Sequence, residues 1–261
     1  MRKNSLFLLP LALLLWGCPG QSNEEPEPEK TCLLQEHSSI GVNGGVSNAT
    51  YSSRYTYNTD GRLSVVARDS AGIEKGKTVF TYDSRGNLVQ EENNYTKVVN
   101  EYDKQNRLVK QTKFLMVGPT ANSELYLATF SYTSTGDLAE TRYYSPSTGP
   151  ATPRQILRYK YTNGNPTHIT HLDGQERVEV QSLYTFDAHP APRPTPDILS
   201  LTPQQAPAVN NMLSATHTNN RGYTTRYDID YTYQGNGYPA TAIIKFPNNN
   251  QVQLAFRYTC I

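Results

Sequence analysis

The sequence predicts an all-β protein, an antiparallel meander of about fourteen strands that is curved or closed into a barrel-like sheet. Three observations carry this expectation. A short unit recurs in which tyrosine leads into a polar turn containing Gly or Asn, and a second strand follows. Tyrosine dominates the aromatics, with 19 Tyr against 7 Phe and 1 Trp. No segment shows a helical apolar face of useful length.

Each unit has a physical logic. The first is Tyr55-Thr56-Tyr57-Asn58-Thr59-Asp60-Gly61-Arg62-Leu63, and the second runs from Phe80 through Tyr82-Asp83-Ser84-Arg85-Gly86-Asn87 to Leu88. The third is Tyr102-Asp103-Lys104-Gln105-Asn106-Arg107-Leu108, and the fourth is Tyr132-Thr133-Ser134-Thr135-Gly136-Asp137-Leu138. A shorter copy begins at Tyr161, and a late one runs from Tyr233 to Pro239. Tyrosines two apart, as at Tyr55 and Tyr57, share one face of a strand and pack well across neighbouring strands. Gly61, Gly86, Gly136 and Gly237 stand where a tight turn demands positive φ. Asn106 takes that place in the third copy, and Asn tolerates it best after Gly. The expected strands cover 51–58, 62–69, 77–83, 87–94, 96–103, 107–116, 124–133, 137–144, 154–162, 166–172, 176–186, 223–234, 239–246 and 251–259.

Residues 187–222 differ. Prolines at 190, 192, 194, 196, 203 and 207 mark a long irregular excursion, and such loops are uncommon in compact domains. It is expected to plug or cap the sheet, with a ligand-side loop as the alternative. Residues 203–213 hold the best short helix candidate, limited by Pro207.

The amino terminus reads as an export signal. Arg2 and Lys3 precede an apolar run from Leu6 to Trp16 that is too short to span a bilayer. Leu15-Trp16-Gly17-Cys18 resembles the lipobox of bacterial lipoproteins. That resemblance implies cleavage after residue 17, acylation of Cys18, and stable anchoring by several acyl chains. Residues 18–31 are acidic and proline-bearing and form the expected tether. The acidic stretch is also similar to surface-export signals of Bacteroidetes lipoproteins. The remaining residues, 32–261, form one expected β domain. Cys32 and Cys260 lie at its two ends, and an exported compartment permits a disulfide between them. Closing so long a loop stabilises by roughly 4 to 5 kcal/mol in the chain-entropy treatment.

The copies at Tyr82–Leu88 and Tyr102–Leu108 resemble the YD repeats of RHS-type proteins. The layout is closer to a family of small Bacteroidetes lipoproteins of unknown function, with a late Gly237-Tyr238-Pro239 and an Asn210-Asn211-Met212-Leu213 stretch before it. The resemblance covers about residues 50–258 and implies a porin-like, barrel-shaped meander with no known catalytic residues. Asn106 and the shortened turn at Gly164 depart from a strict repeat.

Formal charge is +1, with 24 basic and 23 acidic residues, which argues against a nucleic-acid partner. Strands with one polar and one apolar face suit a barrel in water; a membrane-spanning barrel needs an apolar outer belt. His168 and His171 fall on opposite strand faces and make a poor metal pair. His171 and Asp173 share a face, at what reads as a solvated strand end. Asp173, Asp228 and Asp230 are the carboxylates weighed for glycoside hydrolysis. No phosphate-binding, zinc-protease or nucleophile-elbow motif occurs, so no catalytic residue, metal or cofactor is expected.

Tyr126, Tyr143, Tyr144, Tyr159, Tyr184, Tyr223 and Tyr238 are the candidates for a ligand surface, because tyrosine stacks on sugars and peptides at low entropic cost. The expectation is a non-enzymatic lipoprotein, lipid-anchored in a bacterial outer membrane and facing the periplasm or the cell surface. It would bind a glycan, a peptide or an envelope protein, or play a structural role. A glycan hydrolase and a carrier of hydrophobic ligands are the alternatives.

Overall fold

The computed structural model describes residues 31–43, 46–146, 151–201 and 208–260. The expected signal peptide, Cys18 and all of the tether except Thr31 lie outside the described residues. Sixteen strands follow one another: β1 (Cys32–Asn43), β2 (Val46–Tyr57), β3 (Leu63–Ser70), β4 (Ile73–Tyr82), β5 (Leu88–Asn93), β6 (Thr96–Tyr102), β7 (Leu108–Leu115) and β8 (Glu124–Tyr132). Then come β9 (Leu138–Tyr144), β10 (Gln155–Thr162), β11 (Asn165–Asp173), β12 (Val178–Pro190), β13 (Asn210–Asn219), β14 (Thr224–Tyr233), β15 (Pro239–Lys245) and β16 (Gln251–Cys260). Each strand pairs antiparallel with the next, and β16 returns to β1, so the meander closes into a barrel.

The sequence predicts fourteen strands; the two it misses are β1 and β13. β1 is rich in Ser and lacks tyrosine. Its partners Ser39↔Leu254 and His37↔Phe256 place small or polar side chains on the inner face. β13 emerges from the proline-rich excursion and carries Met212, Ala215 and His217 inward. The helix expected over 203–213 is corrected here. Residues 210–213 open β13, where sheet pairing with β12 competes successfully, while 202–207 lie outside the described residues. One turn of 3-10 helix, Asp197–Leu199, is present instead.

The two rims of the barrel are built differently. At the rim where β1 begins, here the repeat rim, four hairpins share one construction. Tyr57 pairs with Leu63, Tyr82 with Leu88, Tyr102 with Leu108 and Tyr132 with Leu138, each after a register shift. Such a bulge sharpens local twist. The five-residue turns between them close in one way. In the second, Asp83 N–H donates to the Asn87 carbonyl at 2.9 Å, and Gly86 N–H donates to the Asp83 carbonyl at 3.0 Å. Asp83 Oδ1 also accepts the N–H groups of Arg85 and Asn87, both at 2.9 Å. The fourth turn residue has positive φ as expected, at 74° for Gly61, 88° for Gly86, 61° for Asn106 and 94° for Gly136. The same turn recurs at the far rim over 173–177 and 219–223 without the Tyr and Leu pair.

Alternation sends the apolar residues inward. Leu34, Tyr55, Val66, Phe80, Phe130, Tyr159, Ile169, Ile229, Ile244 and Phe256 belong to one buried cluster. The outer face carries ion pairs instead, among them Lys110–Glu101 at 2.8 Å, Arg226–Asp228 at 2.7 Å and Arg257–Glu36 at 2.6 Å. Arg142 and Arg158 share Glu140 and Glu176 in a four-member outer network. The apolar side of this sheet is therefore the inside. Cys32 and Cys260 are disulfide-bonded, as expected from their place at the two ends of the domain.

Candidate functional site at the repeat rim

The repeat turns and the proline-rich excursion meet at one mouth of the barrel. There the sequence produces a ladder. The Tyr57 hydroxyl donates to the Leu34 carbonyl at 2.6 Å, Tyr82 to Leu63 at 2.8 Å, Tyr102 to Leu88 at 2.8 Å and Tyr132 to Leu108 at 2.8 Å. Three of these bonds join one hairpin to the last strand of the hairpin before it, and the Tyr57 bond joins the first hairpin to β1. Burial pushes the phenols of Tyr57, Tyr82 and Tyr132 upward in pKa, so they remain neutral donors. The ladder stops at Tyr161, whose buried hydroxyl has no partner among the described residues.

The excursion crosses this mouth. Pro192 and Pro196 are fully buried, and Leu199 joins the core cluster. The Arg193 carbonyl accepts from Leu34 N–H at 3.3 Å. Asp197 reaches inward to Arg68 at 3.3 Å, and Arg68 also donates to Thr78 Oγ1 at 2.7 Å. The two segments singled out by the family resemblance fasten the excursion. Asn211 Nδ2 donates to the Asp187 carboxylate and to the carbonyls of His189 and Pro190. Asn165 Oδ1 accepts from the N–H groups of Val209 and Asn210 at 3.0 Å each. Gly237 packs beside His189 and Pro190, and the preceding Asn236 donates toward both cysteine sulfurs. The excursion thus covers the sheet end, and it also forms one wall of a pocket.

That pocket has a volume of about 510 Å³. Tyr57, Tyr82 and Tyr102 face Arg193, Pro194 and Thr195 across it, and Leu63 and Leu88 line it between them. Beneath the excursion lies a smaller cavity of about 180 Å³ with His37, Tyr55, Arg68 and Asp197 in its wall. His37 Nδ1 and the Tyr55 hydroxyl are 2.9 Å apart. Burial lowers the His37 pKa, with Asp197 opposing, so the ring is neutral near pH 7.

The sequence candidates fall elsewhere. Tyr126 and Tyr143 point into the barrel and meet edge to face at 5.7 Å. Burial pushes Tyr126 up to about 12. Tyr159 is buried against Thr141, and Tyr184 is buried edge-on to His217. Tyr144 follows the inward Tyr143 and so points to the outer face of β9. Tyr223 is 71% exposed in a far-rim turn, and Tyr238 lies in the 234–238 turn with its ring 5.3 Å from Tyr258. Tyr126, Tyr143, Tyr159 and Tyr184 share the inner face of the barrel, Tyr144 and Tyr223 lie outside it, and Tyr238 stands at the repeat rim. The mouth instead uses the unit-leading tyrosines 57, 82 and 102. Their recurrence before the turns was the signal that could have found them.

The polar candidates resolve as follows. Asp173 accepts from Gln175 N–H, Arg177 N–H and the Arg177 side chain as a turn cap, so it does not pair with His171. Hydrogen bonds from the Arg177 backbone and guanidinium hold its carboxyl below the usual range. His171 and His217 instead flank Ser182, at 3.4 and 2.7 Å. Asp228 and Asp230 sit on the outer face with Arg226 and Lys245. No group of three His, Cys, Asp or Glu side chains converges to hold a metal among the described residues.

No known protein family matches the chain, and no curated protein matches it in sequence. Solved structures do. A porin-like protein from Bacteroides uniformis ATCC 8492 superimposes with a TM-score of 0.57 at 13% identity, over 87% of this chain and 98% of that one. A porin-like protein from Bacteroides vulgatus ATCC 8482 gives 0.56 at 11% identity, over 88% and 99%. At these identities the likeness is one of fold, and this chain has the closed-barrel fold of those porin-like proteins.

Proposed function

We propose that this chain is a non-enzymatic protein of the bacterial outer membrane, lipid-anchored through Cys18, whose tyrosine-lined mouth holds an envelope ligand. Glycan, peptide and a further envelope protein are the ligand classes for such a role. The carrying observation is the pocket of about 510 Å³ at the repeat rim, walled by three tyrosine rings on one side and the excursion on the other. Concave, aromatic-lined and largely preformed space is what a binding site requires. The fold likeness to porin-like barrels is compatible with an envelope location. The ion-paired outer face supports a barrel standing in water beside the membrane rather than spanning it.

Two measurements test this reading. Metabolic labelling with a fatty acid is expected to mark the wild-type chain and not Cys18→Ser, with the variant released from the membrane fraction. Binding of solubilised envelope components to the folded domain is expected to fall for Tyr102→Ala and to persist for Tyr223→Ala. Equal retention by both variants would remove the mouth from the account.

A further inference from the structure

We infer that the cavity beneath the excursion holds one neutral sugar residue, the terminal unit of a glycan that enters by the mouth. This inference rests on the proposed binding role and names its ligand. The first argument is size and place. The cavity of about 180 Å³ has room for about six waters at roughly 30 Å³ each. One sugar ring fills such a space, and a peptide segment does not fit in it. Leu63, Pro194 and Thr195 line both this cavity and the pocket of about 510 Å³. The cavity is therefore the inner end of the mouth, placed to take the tip of a chain.

The second argument is what the wall has left to offer. Ser53 stands opposite His37 on the inner face and is 9% exposed. Its hydroxyl and that of Ser39 line the cavity without a hydrogen-bond partner among the described residues. His37 spends Nδ1 on the Tyr55 hydroxyl at 2.9 Å, and its Nε2 has no partner among the described residues. Serine hydroxyls and a neutral imidazole donate or accept according to their neighbour, as sugar hydroxyls do. A buried hydroxyl left unpaired is costly, and a sugar ring supplies the missing partners. Leu63, Val66 and Phe80 add an apolar part to the wall. Neither a cation nor a second ring lies against Phe80 among the described residues, so the C–H face of a sugar can rest on it.

The third argument is charge. Arg68 and Asp197 pair at 3.3 Å in the cavity wall. Side by side they present donors and acceptors, which suits adjacent hydroxyls. Glu91 and Lys113, further along the inner face, again contribute one residue of each sign. An acidic ligand would meet Asp197 and an amine would meet Arg68, so the wall favours a neutral one.

The test titrates the folded, disulfide-bonded domain with glucose, galactose, mannose and N-acetylglucosamine, and with oligosaccharides that end in each. The uronate and amino derivatives of the same sugars are the charged probes. One neutral sugar is expected to bind with a Kd of about 1 mM, and an oligosaccharide ending in it more tightly. Its charged derivatives are expected to bind roughly tenfold more weakly. Ser53→Ala removes a hydroxyl that has no partner in the protein. It is expected to leave the urea midpoint unchanged and to weaken the sugar roughly tenfold. Ser53→Val fills the space and is expected to abolish binding. Tyr223→Ala, exposed at the far rim, is expected to keep sugar affinity within about twofold. Absence of neutral-sugar binding at about 10 mM, affinity that survives Ser53→Val, or a charged derivative that binds as tightly overturns the inference. If it falls while envelope components are still lost by Tyr102→Ala and kept by Tyr223→Ala, the binding role stands with another ligand. If no sugar binds and both variants retain envelope components equally, the binding role fails as well.

Discussion

The two rims of this barrel use the same turn for different ends. At the far rim the 219–223 turn has Asn219 Oδ1 accepting from Arg221 and Tyr223 N–H, with Gly222 at φ 81°. It closes one hairpin, and its link to the preceding one is a backbone bond, Asn220 N–H donating to the Glu179 carbonyl at 2.8 Å. At the repeat rim the same turn sits between a tyrosine and a leucine, and the tyrosine reaches sideways to the preceding hairpin. The turn makes a hairpin; the tyrosine makes an array of hairpins. Tyr51, Ile73, Tyr95, Val117 and Leu125 are exposed near the far rim, and Ile198 and Val209 are exposed on the excursion at the repeat rim.

This contrast breaks most severely at the disulfide. Cys32 and Cys260 close the barrel at the repeat rim, where β1 meets β16. Cys260→Ser is expected to lose roughly 5 kcal/mol on the chain-entropy treatment. Urea unfolding of wild type with and without reductant is expected to show the same loss. A midpoint unchanged by reduction would mean that sheet pairing alone holds the ends together.

A smaller effect separates two glycines with the same backbone conformation. Gly86 and Gly222 have φ of 88° and 81°. A Cβ at Gly222 meets nothing within 4 Å, while one at Gly86 meets the Arg62 guanidinium at 2.5 Å. That guanidinium lies 5.8 Å from the centroid of the Tyr82 ring. Gly222→Ala is expected to cost about 1 kcal/mol from the left-handed backbone alone. Gly86→Ala is expected to cost about 2 kcal/mol because Arg62 must also leave its place over the ring. Equal losses in thermal unfolding would show that the stacked arginine contributes nothing.

The ladder itself is tested by removing a single oxygen. Tyr82→Phe is expected to destabilise by about 1 kcal/mol, leaving the Leu63 carbonyl short of a donor. Tyr223→Phe at the far rim is expected to change stability by less than about 0.5 kcal/mol, since its side chain is exposed.

Much of this was legible in the sequence, and the physical reason is local. A five-residue turn that needs positive φ at its fourth position writes Gly or Asn into the chain, so Gly61, Gly86, Asn106 and Gly136 could be read directly. Closure into a barrel was suggested by two cysteines at the ends of the domain. What stayed hidden depends on side-chain partners far apart in sequence. Nothing local says that the Tyr102 hydroxyl is spent on Leu88, or that Asp197 will cross the mouth to Arg68. Of the tyrosines that the sequence offers for a ligand surface, only Tyr238 stands in a repeat turn, and a tyrosine that leads a turn reads locally as a sheet-packing residue. β1 is hard to read in the sequence for a related reason. Its inward His37 and Ser39 line the cavity that also holds Arg68 and Asp197, so it lacks the apolar alternation that marks its neighbours.

The finest distinction lies among the repeat turns themselves. Asp83 and Asp103 cap the second and third, and Thr133 caps the fourth by accepting Asp137 N–H at 3.1 Å. Backbone N–H donors, Asn87 for Asp83 and Arg107 for Asp103, hold both carboxyls below the ordinary Asp range. A depressed folded pKa means that the ionised form is favoured by folding. The stabilisation is complete above the unfolded value of about 4. It is lost as pH falls through the lower folded value. A threonine cap carries no proton to gain in this range. Asp103→Thr is therefore expected to flatten the decline in urea midpoint below about pH 4. Thr133→Asp, at the neighbouring turn, is expected to steepen it. If the acid limb keeps one slope in both variants, ionisation of the cap carboxylates is not linked to folding, and the sensitivity belongs to His37, His171 and His217. Burial lowers the pKa of all three, so their contribution would begin to fall at the higher pH of about 6.5, where the unfolded chain first takes up protons.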